Sequence, residues 1–339
     1  MPNEMNFGLI GYGAWGRFHA SSIAKAPDAR LAAIVAEGDE SAAAARADHP
    51  EAAIHRDNRR LLADPAIEAV AIAVPNHLHA EIAIAALEAG KHVLLEKPMA
   101  TSLADCDRIV AAASRSGKVL TVGHEMRLSP QWGRIKTLIV EGAIGEPQHV
   151  NVALFRFPYR QGSGGWRYDR SRVGSWILEE PIHFFDWILW YLSDAGRPVR
   201  VRAIGTGKSD MSASLSVQLR FPNGATAAVN QVLGGFEHHQ VVEVVGSSGA
   251  IRSLWSGVMD RTFEPTANLR LKRVGSETDE MIPIERSGEV FELEAQAQAA
   301  VEAFRSGKPI VSPEEGRAAV AVCLAAERSA REGVEVVVG

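Results

Sequence analysis

The chain has 339 residues, 46% of them hydrophobic, which is enough for two domains with their own cores. A net charge of −5 offers no basic field for nucleic acid or anionic lipid, and two cysteines exclude a disulfide framework or a zinc cluster, which fits a reducing cytoplasm. No apolar run reaches the roughly 18 residues of a membrane span, and "MPNEMNFGLIGYG" carries no basic segment followed by a long apolar core, so a cytoplasmic protein is expected.

Short apolar runs alternate with alanine-rich helical stretches through the first 125 residues. "NFGLI" (6–10), "LAAIVA" (31–36), "EAVAIAV" (68–74), "HVLLE" (92–96) and "VLTVG" (119–123) read as buried parallel strands, and "HAEIAIAALEAG" (79–90) reads as one of the helices between them. Strand and helix taking turns predicts a doubly wound parallel sheet over 1–125. The texture then changes. "SLSVQLRF" (214–221) alternates apolar and polar residues, "PNG" turns the chain, and "ATAAVNQVL", "HHQVVEVVGSSGAIRS" and "NLRLKRV" continue in the same period of two. That predicts a large open, mostly antiparallel sheet in a second α/β domain over 126–339. The end of the chain is helical again, and residues 290–332 are expected to pack back towards the first domain.

"GLIGYGAWGRFHA" places Gly11-x-Gly13-x-x-Gly16 after the first strand and before a helix. Gly11 permits a tight turn, Gly13 lets the backbone approach a diphosphate, and Gly16 allows close helix–strand packing. A diphosphate would sit at the helix N-terminus, so Gly11, Tyr12, Gly13, Ala14, Trp15 and Gly16 are read as a dinucleotide-binding loop. Glu37 ends the second strand, and its carboxylate suits the two ribose hydroxyls of an adenosine while repelling a 2′-phosphate. NAD is therefore expected over NADP. Asp39 is close enough in sequence to share that role.

Lys97 in "HVLLEKPMA" follows a strand at the carboxyl edge of the sheet, where open α/β sheets bind ligands. His124 and Arg127 follow the next strand at the same edge. "YRQGSGGWRYDRSRVGSW" (159–176) is a glycine-rich loop of the kind used for binding, with Trp166 for stacking and Arg167 for hydroxyls. The histidines of "FEHHQ" (236–240) read as a solvated sheet edge, and Cys106 as a packing residue.

"LEEPIHFFDWILWYL" (178–192) sets Glu179, Glu180, His183 and Asp186 among large apolar residues. Three readings compete. Glu180-x-x-His183 has the spacing of a di-iron ligand pair, but no second copy occurs in the chain, so no metal is expected. Alternatively the carboxylates cap a helix and His183 is a satisfied core histidine. In the third reading a helix begins near Pro181, which suits a first helical turn. His183 then lies in that turn, where the helix dipole favours the neutral ring and a proton can be accepted. Glu179 would orient the ring or a neighbouring hydroxyl, and Asp186 would share the face of His183.

"GLIGYGAWG", "VPNHLHAEIAIAALEAGKHVLLEKPMA" and "GSWILEEPIHFFDWILWYL", in this order, resemble the glucose–fructose oxidoreductase/inositol dehydrogenase superfamily. The resemblance implies that Pro75, Asn76, His79 and Glu96 border the cofactor. It implies that Lys97 contacts both the nicotinamide ribose and the reacting hydroxyl, and that the open sheet forms a homodimer or homotetramer. It also implies a catalytic histidine at His183. Relatives have an aspartate four residues before that histidine and a glycine two before it, where this chain has Glu179 and Pro181.

The expected activity is hydride transfer from a secondary hydroxyl of a cyclic polyol, sugar or glycoside to NAD. His183 would remove the proton while Lys97 stabilises the developing alkoxide. A redox-neutral glycoside hydrolase with tightly held NAD, and a non-catalytic dinucleotide sensor, are the alternatives.

Overall fold

The computed structural model describes residues 4–206, 214–234, 237–258 and 262–339, and the chain divides into two compact units. The first comprises Met1–Glu125, Ser163–Gly174 and Leu293–Val320; the second comprises Met126–Gly162, Ser175–Glu292 and Ala321–Gly339. Two segments beyond residue 125 thus belong to the first unit.

The first unit carries strands β1 (Met5–Ile10), β2 (Ala29–Val35), β3 (Ala53–His55), β4 (Ala69–Ile72), β5 (His92–Glu96) and β6 (Leu120–Gly123). All pair in parallel in the order β3-β2-β1-β4-β5-β6, the doubly wound arrangement of a dinucleotide-binding sheet. The connecting helices are α1 (Ala14–Lys25), α2 (Asp39–Asp48), α3 (Asn58–Ala63), α4 (His79–Glu88) and α5 (Leu103–Ser116). β4 and β5 are buried almost throughout, as strands covered on both faces must be. Ala297, Ala300, Val301 and Phe304 join the core of Phe7, Leu9, Ile23 and Ile34, so of the stretch 290–332 the part from 293 to 320 belongs to this unit and the rest to the second.

The second unit begins with α6 (Trp132–Val140) and β7 (Pro147–Arg156). After α7 (Arg170–Val173), which belongs to the first unit, come α8 (Pro181–Tyr191), β8 (Arg200–Thr206), β9 (Ser214–Arg220), β10 (Thr226–Leu233), β11 (His238–Gly246), β12 (Gly249–Gly257), β13 (Thr266–Arg273) and β14 (Glu280–Met281). The chain closes with α9 (Glu289–Ser306), α10 (Pro313–Glu332) and β15 (Val336–Val337). Nine strands form one sheet in the order β14-β13-β12-β11-β7-β10-β9-β8-β15, antiparallel except where β10 runs parallel to β7. Along β9 the pattern is strict: Leu215, Val217 and Leu219 are buried while Ser216, Gln218 and Arg220 are exposed.

α8 packs on the inner face against β7 and β10. Ile182, Phe184, Phe185, Trp187 and Ile188 are fully buried, each worth about 1.5–3 kcal/mol on the apolar-area scale. A helix with apolar residues on every face, interrupted only by His183 and Asp186, belongs in a core.

The expectation that "FEHHQ" is a solvated edge is wrong for its described residues; Phe236 lies outside them. β11 is an interior strand between β7 and β12. His238 is buried edge-on against Trp255, and the His239 ring stacks on Phe155 at 4.9 Å.

Candidate active site

In the first unit, the turn from β1 into α1 depends on its glycines for different reasons. Gly11 has φ +102°, and a side chain there would run into the Ala73 carbonyl. A Cβ at Gly16 would collide with the Gly11 carbonyl, so this glycine lets the helix close on the loop. Gly13 is unlike both, because a Cβ there meets nothing within 4 Å. It stands at the N-cap of α1 with no side-chain cap, next to exposed Ala14 and half-buried Trp15. Space without protein atoms beside an uncapped helix start fits a dinucleotide diphosphate. The Tyr12 side chain is buried. Its hydroxyl donates to Asp48 at 2.8 Å, and burial together with Asp48 pushes its pKa well up.

Glu37 lies two residues past β2 and is exposed. Arg56, directly after β3, donates to the Glu37 carbonyl at 2.9 Å and to the Asp39 carboxylate at 2.5 Å.

Lys97 follows β5, joined to Pro98 by a cis peptide bond. Behind it lies a buried pair that the sequence analysis missed: His19 Nε2, on α1, is 2.7 Å from Glu96 Oε1. The other Glu96 oxygen accepts from the Lys97 backbone N–H at 3.2 Å. Burial alone would raise the Glu96 pKa, but the His19 hydrogen bond and the charges of His19 and Lys97 hold it below the usual carboxylate range. The Lys97 turn is thereby fastened to the helix that starts at the glycine loop. His79 is fully buried, with one ring nitrogen 2.7 Å from the Pro98 carbonyl and the other 2.9 Å from that of Val74. It clamps the turns after β4 and β5 together. Asn76 is buried and donates to the Val173 carbonyl at 3.1 Å, which ties the Pro75-Asn76 turn to the segment carrying Trp166 and Arg167. The Arg167 guanidinium lies 4.7 Å from the centre of the Trp166 ring, and His124 is buried at the end of β6.

In the second unit, Pro181 occupies the first turn of α8 and the His183 N–H donates to the Glu180 carbonyl at 3.0 Å. Residues 176–178 form a short 3-10 turn that ends at Glu179. Glu179 and His183 are both buried. Asp186 takes two hydrogen bonds from Arg127, 2.8 Å from Nε and 2.7 Å from Nη2, and the guanidinium also lies over Trp190 at 5.1 Å. Arg127 and Asp186, both read as substrate contacts, are thus bonded to each other.

Beside the start of α8 runs a polar wall that sequence reasoning did not find. Glu180 pairs with Arg156, and its other oxygen lies 3.6 Å from His238. Arg156 sits over Tyr159 at 4.6 Å, and the Tyr159 hydroxyl accepts from Gln231 Nε2 at 2.5 Å. Register explains the clustering. Gln231 and Gln240 both pair with Leu154 of β7, and Arg156 lies two residues further along the same inward face. Polar residues at inward phases of neighbouring strands were the available signal.

Among the described residues, no cluster of three or more His, Cys, Asp or Glu side chains could hold a metal ion. No described helix is long and apolar enough to cross a membrane.

A six-stranded doubly wound sheet with an open glycine loop, joined to a unit with a large open sheet, has the architecture of a two-unit dinucleotide-binding protein. Residues 5–124 match the profile described as oxidoreductase family, NAD-binding Rossmann fold, and residues 132–252 match the GFO/IDH/MocA C-terminal domain. The chain belongs to the GFO/IDH/MocA oxidoreductase family and is a dehydrogenase acting on CH–OH donors. It is 28% identical to 1,5-anhydro-D-fructose reductase of Ensifer adhaerens over 94% of this chain and 96% of that one. It is also 28% identical to myo-inositol 2-dehydrogenase of Thermotoga maritima, over 97% of each. A solved levoglucosan dehydrogenase in complex with NADH and levoglucosan superposes with a TM-score of 0.82 at 25% identity, covering 98% of this chain and 99% of that one.

Proposed function

We propose that the protein oxidises a secondary hydroxyl of a cyclic polyol, sugar or glycoside with NAD as the acceptor, reversibly. The observation that carries the reading is the open, uncapped glycine loop of the first unit, with Lys97 at the β5 edge of the same sheet; the second unit offers His183 in the first turn of α8. Bound NAD would supply the hydride acceptor, its diphosphate on the backbone at Gly13 and its adenosine ribose at Glu37. Lys97 holds the reacting oxygen and stabilises the negative charge that develops on it. His183 takes the hydroxyl proton on an imidazole nitrogen, with Glu179 orienting that ring or a neighbouring hydroxyl. Trp166, Arg167 and His124 contribute stacking and hydroxyl contacts, while Arg127 and Asp186 support the histidine helix as a bonded pair. Glu96 and His79 act through the Lys97 turn that they fasten, and Pro75 and Asn76 border the cofactor.

Sugar-like substrates are supported by the relatives named for anhydrofructose, inositol and levoglucosan. Two cysteines that are free and buried, Cys106 and Cys323, fit a cytoplasmic location. Homodimer or homotetramer formation through the outer face of the open sheet belongs to the same reading; that face carries half-buried Phe155, Val232, Val241 and Leu254. The test is NADH formation at 340 nm across a panel of inositols, aldoses, anhydrosugars and glycosides. Accumulating NADH with at least one of them is expected. Product released from a glycoside without net NADH would overturn the dehydrogenase reading.

A further inference from the structure

Electrostatic choice between NAD and NADP is commonly set by one carboxylate at the end of the second strand, or by an arginine in its place. This chain carries both. Arg56 follows β3, the neighbour of β2, and its two terminal nitrogens have different obligations. Nη1 donates to the backbone carbonyl of Glu37 at 2.9 Å, a bond that does not depend on which side chain stands at position 37. Nη2 donates to Asp39 Oδ1, and the Asp39 side chain is fully exposed.

We propose that Arg56 is a ready-made receptor for the 2′-phosphate of NADP, kept out of use by Glu37, so that a single substitution at Glu37 opens the site to NADP. The inference rests on the reading of the glycine loop and Glu37 as the dinucleotide site. A solvent-exposed ion pair such as Arg56–Asp39 contributes little and exchanges readily. A phosphate carries more charge than one carboxylate and accepts from a guanidinium through two oxygens, so it displaces Asp39. The Glu37 carboxylate is then the remaining obstacle, an anion facing an anion. Removing it leaves a cation already anchored to the backbone at the ribose edge.

Affinities for NAD and NADP are measured by calorimetry on the native protein and on the Glu37→Ser, Glu37→Ser/Arg56→Ala and Glu37→Ser/Arg56→Lys variants. The native protein should bind NAD more tightly than NADP. Glu37→Ser should bind NADP about tenfold or more tighter than the native protein does, the size expected of one charge-assisted hydrogen bond. Adding Arg56→Ala should abolish that gain, while Arg56→Lys keeps part of it, and the three variants should bind NAD alike. If Glu37→Ser/Arg56→Ala binds NADP as well as Glu37→Ser does, or Glu37→Ser shows no gain, Arg56 is not the receptor although the dinucleotide site stands. If the native protein binds neither dinucleotide, the underlying reading falls and the inference with it.

Discussion

Gly13 and Gly16 stand three residues apart in one motif, yet they should fail in opposite ways. At Gly13 the backbone is extended, with φ −80° and ψ −169°, so any residue can adopt it, and an added side chain meets no protein atom within 4 Å. Gly13→Val should therefore lose only the cost of a poorer N-cap, about 0.5–1 kcal/mol. For units of this size that lowers Tm by roughly 1–4 °C. The valine fills the space through which the diphosphate would approach the helix start, so NAD affinity should fall by ~10²-fold or more, since the backbone N–H groups are no longer reachable. Gly16→Ala is the converse. Its Cβ overlaps the Gly11 carbonyl, a backbone atom of a loop that is itself held against Ala73. Overpacking of this kind costs about 1–3 kcal/mol or more, so Tm should drop by roughly 2–12 °C before any ligand is added. Thermal denaturation with and without NAD reads both effects. A hundredfold excess of NAD over its Kd adds about 2.7 kcal/mol to a protein that binds it only when folded. The native protein should show that upward shift and Gly13→Val should not. A Gly13→Val protein with the full NAD-induced shift would refute the placement of the diphosphate at Gly13.

Substitution of His183 by Ala or Asn should lower kcat by ~10²-fold or more with NAD affinity nearly unchanged. It should also remove the loss of alcohol oxidation at low pH that protonation of the imidazole produces; variants with near-normal kcat and the same acid limb would make His183 a packing residue. Burial raises the Glu292 pKa from 4.5 to about 7 despite hydrogen bonds from Ser287 and the Gly288 N–H. The folded state thus holds this proton more tightly than the unfolded chain, so the contribution of Glu292 is complete below the unfolded pKa and is lost as pH rises through about 7. The Tm of Glu292→Gln relative to the native protein should therefore climb between pH 5 and pH 8, and a pH-independent difference would contradict the assignment. Asp186→Ala takes the carboxylate from a buried Arg127 and should cost about 3–5 kcal/mol in denaturant unfolding. The double variant Arg127→Met/Asp186→Leu should recover much of that loss; no recovery would mean that the pair is not the dominant interaction there.

Local pattern made much of this molecule readable. The period of two in "SLSVQLRF", the short apolar run of β5, the proline at the first turn of α8 and the glycine spacing before α1 are all short-range signals, and each element lies where they point. What escaped was long-range. β3 is three residues long with none fully buried, so it carries no hydrophobic signature. The inward position of His238 depends on β7 and β12 flanking β11, and β7 lies some 80 residues earlier in the chain, so the histidines of "FEHHQ" read as solvated. The pairs His19–Glu96, Arg56–Asp39 and Arg156–Glu180 are absent from any local window, because separate elements supply their members. The residues with motif signatures, Glu37, Lys97 and His183, stood out in the sequence. Of the side chains that hold their turns in place, Asn76, His79 and Glu96 entered only through the family resemblance, and His19 and Arg56 did not stand out at all.

Direct hydride transfer from a carbinol carbon of a sugar-like substrate to NAD underlies the proposed activity. It is tested most directly by supplying the best substrate of the panel with deuterium on its secondary carbinol carbons and analysing the reduced nicotinamide by mass spectrometry. One deuterium per reduced cofactor is predicted, with the yield abolished in Lys97→Ala although that variant still binds NADH. Unlabelled reduced cofactor, or none at all while substrate is consumed, would contradict the account.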